Sequence, residues 1–245
     1  MLVNNELGSL QPIREIAKIL QSVRVVRRKK AIDLPIYLHV DACQAPAYFD
    51  LSVHKLGVDL LTINSGKIYG PKQAGVLYVR AGIQLDPIVY GGGQEFGFRS
   101  GTENVASAVG LARALELATL KRQVEVERIS QLRHRFETGL KNLSDEIMIN
   151  GGKKRAPHIS HITINGIDNE RFMMELDERG VQCAVGSACS ASSDEPSHVL
   201  KAVGLSDQQA RSSLRFSFGQ QTTLQDIDFV FEQIQSILKN HKSIY

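Results

Sequence analysis

The sequence predicts an α/β fold that is followed by a smaller α+β domain. Short apolar runs at residues 36–40, 59–63 and 76–79 are typical of buried strands, and polar residues follow the first two directly. A long helical pattern covers residues 104–143. Beyond it, short strands and helices alternate in a mixed arrangement, which indicates a second domain of different architecture.

The remaining elements follow in chain order. Pro12 suits the first turn of a helix whose apolar stripe continues to Val23, and the basic residues 24–30 then suit the end of that helix. In the second domain we expect strands at residues 147–149, 161–164, 181–183 and 214–218, and helices at residues 169–179, 196–203 and 224–239. The domain boundary is predicted within the long helix, giving domains 1–118 and 119–245.

Composition excludes several classes of protein. The 245 residues carry a net charge of only +3, which is too weak and dispersed for a nucleic-acid-binding protein. Three unevenly spaced cysteines argue against a disulfide framework and fit a reducing compartment. No apolar run approaches the length of a membrane span, and no signal peptide precedes the first motif. We therefore expect a cytoplasmic protein without a membrane partner.

Two segments carry candidate cofactor chemistry. Asp41 ends the predicted strand 36–40, and Gln44 follows it by three residues. A lone aspartate at this position is often a cap or turn residue, but it can also pair with a protonated ring nitrogen of a cofactor such as pyridoxal phosphate. The two lysines of the next loop, Lys67 and Lys72, could be solvated or could hold a phosphate. Lys67 follows a strand and the small residues Ser65 and Gly66, which is also how a lysine that forms a Schiff base is presented, whereas Lys72 fits a surface position better.

Considered together, six ordered blocks resemble the cysteine desulfurases (NifS/IscS-like) of the class-V aminotransferase family. The blocks are residues 4–6 (NNE), 39–44 (HVDACQ), 67–72 (KIYGPK), 91–95 (GGGQE), 99–104 (RSGTEN) and 186–190 (GSACS). The resemblance implies a large domain of the pyridoxal-phosphate-dependent transferase (aspartate aminotransferase-like) fold, here incomplete, followed by the small α+β domain. It also implies pyridoxal 5'-phosphate as the cofactor.

The resemblance assigns roles on the cofactor side. Lys67 would carry the cofactor as a Schiff base and later move a proton, while Asp41 would hold the pyridinium nitrogen and Gln44 the phenolic oxygen. Thr102 would reach the phosphate of a partner subunit's cofactor, which implies a homodimer. The alternative for Thr102 is a helix N-cap.

On the substrate side, the resemblance implies that Asn5 orients cofactor and substrate and that Arg215 binds the substrate carboxylate. For Arg215 the alternative is an ion pair on a buried strand. L-cysteine would be the substrate and L-alanine the product.

Cys189 lies in a run of small and polar residues, 186–196, which is typical of a surface loop. In the family this thiolate accepts sulfur as a persulfide and passes it to an acceptor or scaffold protein, for example in iron–sulfur cluster biogenesis. Cys183, on a predicted strand, fits a core position better. Two cysteines without further ligands do not indicate a metal site.

The sequence departs from the family pattern at two places. Asn64-Ser65-Gly66 stands where the family usually has Ser-Gly-His, so a side-chain phosphate ligand is either lost or replaced by Asn64 and by the backbone N–H groups of Ser65 and Gly66. The family also has a long stretch before the first block, and we expect this chain to be a truncated or split form. Alternatives are therefore a non-catalytic fragment that acts as an assembly partner, or another class-V enzyme such as an aminotransferase or selenocysteine lyase.

Overall fold

The computed structural model describes residues 1–186 and 195–242. Within them the α-helices are α1 (Ile13–Lys29), α2 (Val53–Leu56), α3 (Val105–Leu143), α4 (Asn169–Asp177), α5 (His198–Ala202), α6 (Asp207–Ala210) and α7 (Leu224–Lys242). The strands are β1 (His39–Asp41), β2 (Leu60–Asn64), β3 (Gly75–Val79), β4 (Ile147–Ile149), β5 (Ile159–Ile164) and β6 (Ser213–Ser217). The chain forms two compact units: unit 1 is Met1–Leu2 with Gln11–Arg122, and unit 2 is Val3–Leu10 with Gln123–Tyr245.

Unit 1 contains a three-stranded sheet in the order β1-β2-β3. β1 and β2 are parallel, with Asp41 opposite Thr62, and β3 returns antiparallel to β2. The carboxyl ends of β1 and β2 therefore lie at the same edge of the sheet, which is where open α/β sheets place ligands.

The predicted buried strand at residues 36–40 is wrong for its first half, because only His39–Asp41 pairs as a strand. The reason is a side-chain interaction that an apolar pattern does not reveal. Arg24 donates to the carbonyl of Ile36 at 2.7 Å, and the carboxylate of Asp59 accepts from the N–H of Leu38 at 2.6 Å. Asp59 is fully buried and also pairs with the guanidinium of Arg24, so these contacts replace part of the ladder.

The helix predicted after Pro12 is confirmed as α1. It buries Ile13 and Ala17, whereas much of its other apolar surface is exposed. Arg27, Arg28 and Lys29 occupy its last turn, where positive charge complements the partial negative charge of the helix C-terminus.

The predicted long helix is continuous as α3. Asn104 caps its N-terminus, since its side-chain oxygen accepts from the N–H of Ser107 at 3.1 Å. In unit 1, Ala114 and Ala118 of α3 pack against the buried side chain of Ile68, which lies directly after Lys67.

Unit 2 contains an antiparallel sheet in the order β4-β5-β6, and all six residues of β5 are buried. Its core centres on Phe136 of α3, whose ring lies 5.0 Å from that of Phe216 and 5.6 Å from that of Phe231. The strand predicted at residues 181–183 is wrong, because only Ala184 forms a bridge there, to Arg215. Among the described residues, no helix has both the length and the apolar composition to cross a membrane.

Candidate active site

Asp41, Cys43 and Lys67 come together at the carboxyl edge of β1 and β2 in unit 1. Asp41 Oδ1 accepts from the N–H of Cys43 at 2.8 Å, which closes a turn directly after β1. The pKa of the Cys43 thiol is raised to about 12, chiefly by burial, with the hydrogen bond and the negative charge of Asp41 adding to the shift. The positive charge of Lys67 partly opposes this shift. The structure thus places the predicted ring-binding acid and the predicted Schiff-base lysine at the same edge of the sheet, directly after two neighbouring parallel strands.

The turn that presents Lys67 is a short 3-10 helix, Ser65–Lys67, directly after β2. Asn64 Oδ1 accepts from the N–H of Gly66 at 2.8 Å, and the N–H of Ser65 donates to the carbonyl of Ala74 at 3.0 Å. The Ser65 hydroxyl is buried without a partner. Neither backbone N–H is available to a phosphate in this arrangement, so the predicted contacts of Ser65 and Gly66 lack structural support. Asn64 Oδ1 is likewise engaged within the turn.

The loop after Lys67 has an unusual backbone. Tyr69 and Gln73 both have positive φ values, of 64° and 62°, although neither is glycine. Gly70 packs so closely on Ser65 that an added Cβ would lie 2.2 Å from its hydroxyl oxygen. Backbone strain of this kind persists where surrounding packing imposes it, and it concentrates at functional sites.

Gln44 is half-buried and has a polar partner, while Thr102 is exposed just before the N-cap of α3. The alternative of Thr102 as a helix cap is wrong, because Asn104 fills that role. The segment before Thr102 is closed by its own hydrogen bonds: the N–H of Gly101 donates to Gln94 Oε1 at 2.9 Å, and the N–H of Ser100 donates to the carbonyl of Val89 at 3.1 Å. An internally bonded loop can hold an exposed side chain such as Thr102 in place.

In unit 2, Asn5 and Arg215 are direct neighbours. The guanidinium of Arg215 donates to the backbone carbonyl of Asn5 at 2.9 Å, whereas its Nε is buried without a partner. Within residues 1–186 and 195–242 no carboxylate lies within ion-pair distance of Arg215, so the alternative of a structural ion pair finds no partner there. A half-buried cation without a counterion is suited to bind an anion.

Cys189 lies outside the described residues, as do its neighbours 187–194. Cys183 packs against the core of unit 2, and burial, with the negative charge of Asp177 adding to it, raises its pKa to about 12. The expectation that Cys183 is a core residue is confirmed.

Sequence reasoning missed His161, which is almost fully buried on β5 next to Asn150 and opposite Arg215. The available signal was three polar residues, Ser160, His161 and Thr163, in a strand whose other residues are isoleucines, since buried polar groups require partners.

Comparisons with known proteins agree with this geometry. A profile of the class-V aminotransferase family (Aminotransferase class-V) matches residues 1–230. The chain is 38% identical over 245 residues to cysteine desulfurase IscS of Dictyoglomus turgidum, covering 100% of this chain and 59% of that protein. It is 40% identical over 238 residues to cysteine desulfurase IscS of Vibrio vulnificus, covering 96% of this chain and 55% of that protein.

Solved structures show the same relationship. A NifS-like protein from Rickettsia africae superposes with a TM-score of 0.86 at 29% identity, covering 97% of this chain and 60% of that one. A second structure, SspA in complex with cysteine, has a TM-score of 0.69 at 33% identity and covers 89% of this chain and 57% of that one. These proteins define a class of pyridoxal-phosphate-dependent transferases. The chain belongs to the class-V aminotransferase family, and the predicted fold class is confirmed.

Class-V aminotransferases use pyridoxal 5'-phosphate, and the residues of unit 1 fit one part of this cofactor better than the other. A carboxylate at the end of β1 and an exposed lysine just after the neighbouring strand β2 suit a pyridinium nitrogen and a carbonyl carbon, respectively. The phosphate side fits less well, because the N–H groups of Ser65 and Gly66 are engaged. Asp41 and Lys67 therefore fit the ring of the cofactor and would bind it.

Proposed function

We propose that this chain acts in the desulfuration of L-cysteine, giving L-alanine and a persulfide on Cys189. The chain spans 59% of the length of the Dictyoglomus turgidum relative, so the activity of the whole protein is part of the proposal. The observation that carries it is that Asp41 ends β1 and Lys67 follows β2, so that both lie at the carboxyl edge of two neighbouring parallel strands. An acid and a lysine at the carboxyl ends of two parallel strands are the minimum for pyridoxal chemistry.

Each residue has a distinct task in this proposal. The cofactor, when bound, supplies an electron-withdrawing ring. Asp41 keeps a proton on the ring nitrogen, and Lys67 holds the cofactor and moves a proton at Cα of the substrate. Arg215 binds the substrate carboxylate through a guanidinium that has no acidic partner among the described residues. The Cys189 thiolate attacks the sulfur of the substrate, so that an S–S bond forms as the Cβ–S bond breaks. The electron pair of the broken bond stays with the carbon skeleton, and Cβ takes up a proton to give L-alanine.

Elimination supports Cys189 as the sulfur acceptor. Only a thiolate attacks sulfur efficiently, and burial raises the pKa of both Cys43 and Cys183 to about 12. At neutral pH these two thiols stay protonated. Cys189 is the remaining cysteine of the three in the sequence.

Borohydride reduction in the presence of pyridoxal 5'-phosphate, followed by peptide mapping, tests the cofactor assignment. We expect the pyridoxyl group on Lys67, with Lys67→Ala unlabelled and Lys72→Ala labelled as the matched control. A label on Lys72 alone, or on no lysine, would contradict the proposal.

L-Alanine formation from L-cysteine, compared between wild type and Cys189→Ser, then tests the chemistry. Unchanged L-alanine formation in Cys189→Ser would contradict Cys189 as the sulfur acceptor and would favour a class-V reaction that removes sulfur without a thiol nucleophile, such as that of a selenocysteine lyase.

A second candidate is a non-catalytic assembly partner. It is favoured by the exposed apolar side chains of unit 1, among them Ile88 at 94%, Tyr90 at 79% and Phe96 at 98% exposure. These residues precede Thr102 in the chain by 6 to 14 positions, which also supports the proposed homodimer. A stable complex with another protein, together with the absence of a pyridoxyl label on Lys67, would favour this candidate over the enzyme.

A further inference from the structure

Four residues of unit 2 form one row across neighbouring strands. Asn150 follows β4 and donates its N–H to the carbonyl of His161 on β5 at 2.8 Å. His161 lies opposite Arg215 of β6, and Arg215 in turn forms a bridge with Ala184. Residues directly opposite each other in an antiparallel pair project to the same face of the sheet. His161 is therefore flanked by Asn150 on one side and by Arg215 on the other.

A chain of hydrogen bonds leads from the imidazole of His161 to a backbone carbonyl. Asn150 Nδ2 lies 3.0 Å from His161 Nδ1 and donates to Thr163 Oγ1 at 2.8 Å. Thr163 Oγ1 lies 2.7 Å from Ser213 Oγ, and Ser213 Oγ donates to the carbonyl of Gln209 at 2.7 Å. All four side chains of this chain are buried.

The carbonyl of Gln209 fixes the direction of every bond in the chain, because a carbonyl oxygen can only accept. The hydroxyl hydrogen of Ser213 is therefore used there, so the hydrogen between Ser213 and Thr163 must come from Thr163. Because the Thr163 hydroxyl hydrogen is already used, Thr163 Oγ1 can only accept from Asn150. The Asn150 atom that faces Thr163 is therefore the amide nitrogen and not the amide oxygen. The same nitrogen faces His161 Nδ1, so Nδ1 must accept. These bonds assign the proton of a neutral imidazole to Nε2.

This tautomer has a consequence for Arg215. An Nε2–H group has no lone pair, so His161 cannot accept a hydrogen bond from the neighbouring guanidinium. Arg215 Nε is indeed buried without a partner. The neutral state has independent support, because burial, with the positive charge of Arg215 adding to it, lowers the pKa of His161 to about 4.

We propose that His161 is a positioning residue for the anion site at Arg215. Asn150 and Ser213 hold the imidazole of His161 as the Nε2–H tautomer. The guanidinium of Arg215 therefore keeps its donors for a ligand carboxylate. The inference rests on the proposed function for the identity of that ligand, an α-amino acid carboxylate. The opposite tautomer would offer a lone pair on Nε2 to Arg215 and would compete with the ligand.

Long-range ¹H–¹⁵N NMR of the ¹⁵N-labelled full chain at pH 7 reads the tautomer directly. We expect His161 as a single Nε2–H species in wild type and in the control variant Ser217→Ala. Ser217 lies on β6, as Ser213 does, but its side chain is exposed. Ser213→Ala removes the link to Gln209, and we expect an Nδ1–H population to appear. An Nδ1–H or doubly protonated ring in wild type, or a Ser213→Ala spectrum identical to wild type, would overturn the proposal.

The Nε–H signal of Arg215 reports ligand binding without any turnover. L-Alanine, which carries the carboxylate but no sulfur, serves as the probe. We expect a saturable shift of this signal in wild type, and about two- to tenfold weaker binding in Ser213→Ala and in His161→Gln, whose side-chain oxygen can accept from Arg215. Equal affinity in all variants, or no response of the Arg215 signal, would overturn the role of His161. Labelling of Lys67 by the cofactor in the same preparation would still support the proposed function.

Discussion

Two of the three cysteines lie in surroundings that disfavour the thiolate. Cys43 is half-buried beside the carboxylate of Asp41, and Cys183 packs on the core of unit 2. The residues directly beside each cysteine in the sequence are small or polar at all three positions, so these immediate neighbours alone do not predict the raised pKa of Cys43 and Cys183. The distinction follows from burial and from charges that approach through the fold.

The first prediction concerns the rates at which the cysteines are alkylated. With a pKa of about 12, Cys43 and Cys183 are thiolate at only about one part in ten thousand at pH 8, whereas an ordinary cysteine ionises appreciably. Iodoacetamide should therefore modify Cys189 well before the other two, as measured by peptide mass spectrometry over time. Protein unfolded in urea, in which all three should react alike, is the control. Modification of Cys43 as fast as Cys189 would contradict this expectation.

The second prediction concerns pH and His161. Its pKa in the folded state, about 4, lies below the ordinary value of 6.5, so the unfolded chain binds the proton more readily. The free energy of unfolding should be unaffected by this group above pH 6.5. It should then fall by up to about 1.4 kcal/mol per pH unit between pH 6.5 and pH 4, and become level below that window.

Urea unfolding followed by far-UV circular dichroism at several pH values measures this dependence. The difference between wild type and His161→Gln isolates the contribution of His161, because glutamine does not titrate. A difference that stays constant from pH 7 to pH 4 would show that the folded protein protonates His161 as readily as the unfolded chain does.

At the scale of elements, apolar periodicity predicted most of the fold. It located α1, α3, α7 and the six strands in order, because each of them has a short apolar run or an apolar stripe in the sequence. It failed at residues 36–38, where Arg24 and Asp59 engage the backbone, and at residues 181–183. The short helices α2 and α6 were missed, because four residues are too few for a periodic signal.

The candidate site was predictable in type but not in its bonding. Strand ends followed by Asp41 and by Lys67 indicated the cofactor edge, because strand ends and small residues are visible in a sequence. The engagement of the Ser65 and Gly66 N–H groups could not be seen, since it depends on the path of the loop. The role of His161 depends on cross-strand register, which no local pattern specifies.

The third prediction concerns the start of α5, where Ser197 caps the helix and also forms a hydrogen bond to Glu6. Its hydroxyl accepts from the N–H groups of Val199 and Leu200 and donates to Glu6 Oε2 at 2.6 Å. Glu6 is only 2% exposed, so Ser197→Ala would remove a helix cap and also leave a buried carboxylate without this donor. We expect a loss of about 2–4 kcal/mol in the free energy of unfolding, the sum of a lost cap and a lost bond to a charged group.

Ser206→Ala is the matched control, since Ser206 caps α6 with a capping box but is exposed. It should cost only about 1 kcal/mol, the usual value for a lost N-cap. Urea unfolding of both variants gives the comparison. Equal losses would mean that the contact with Glu6 contributes nothing beyond the cap.

At the scale of the whole molecule, the two units differ in how completely they bury their apolar side chains. In unit 2, Phe136, Phe172 and Leu214 are buried in one core. In unit 1, β3 exposes neighbouring apolar residues, with Val76 at 43% and Leu77 at 47% exposure. Successive strand residues point to opposite faces, so both faces of β3 are accessible to another chain.

The last prediction is that the chain associates through unit 1. In the sheet order β1-β2-β3, the outer edge of β3 has no neighbouring strand among the described residues, and an exposed apolar edge is a template for pairing with another chain. Static light scattering should give a mass above the 27.1 kDa of one chain. Leu77→Lys should lower this mass, because a charge on an edge strand opposes pairing, whereas Leu224→Lys, at a comparably exposed leucine of unit 2, should not. A 27.1 kDa species for wild type at micromolar concentration would show that the apolar surface of unit 1 does not drive association.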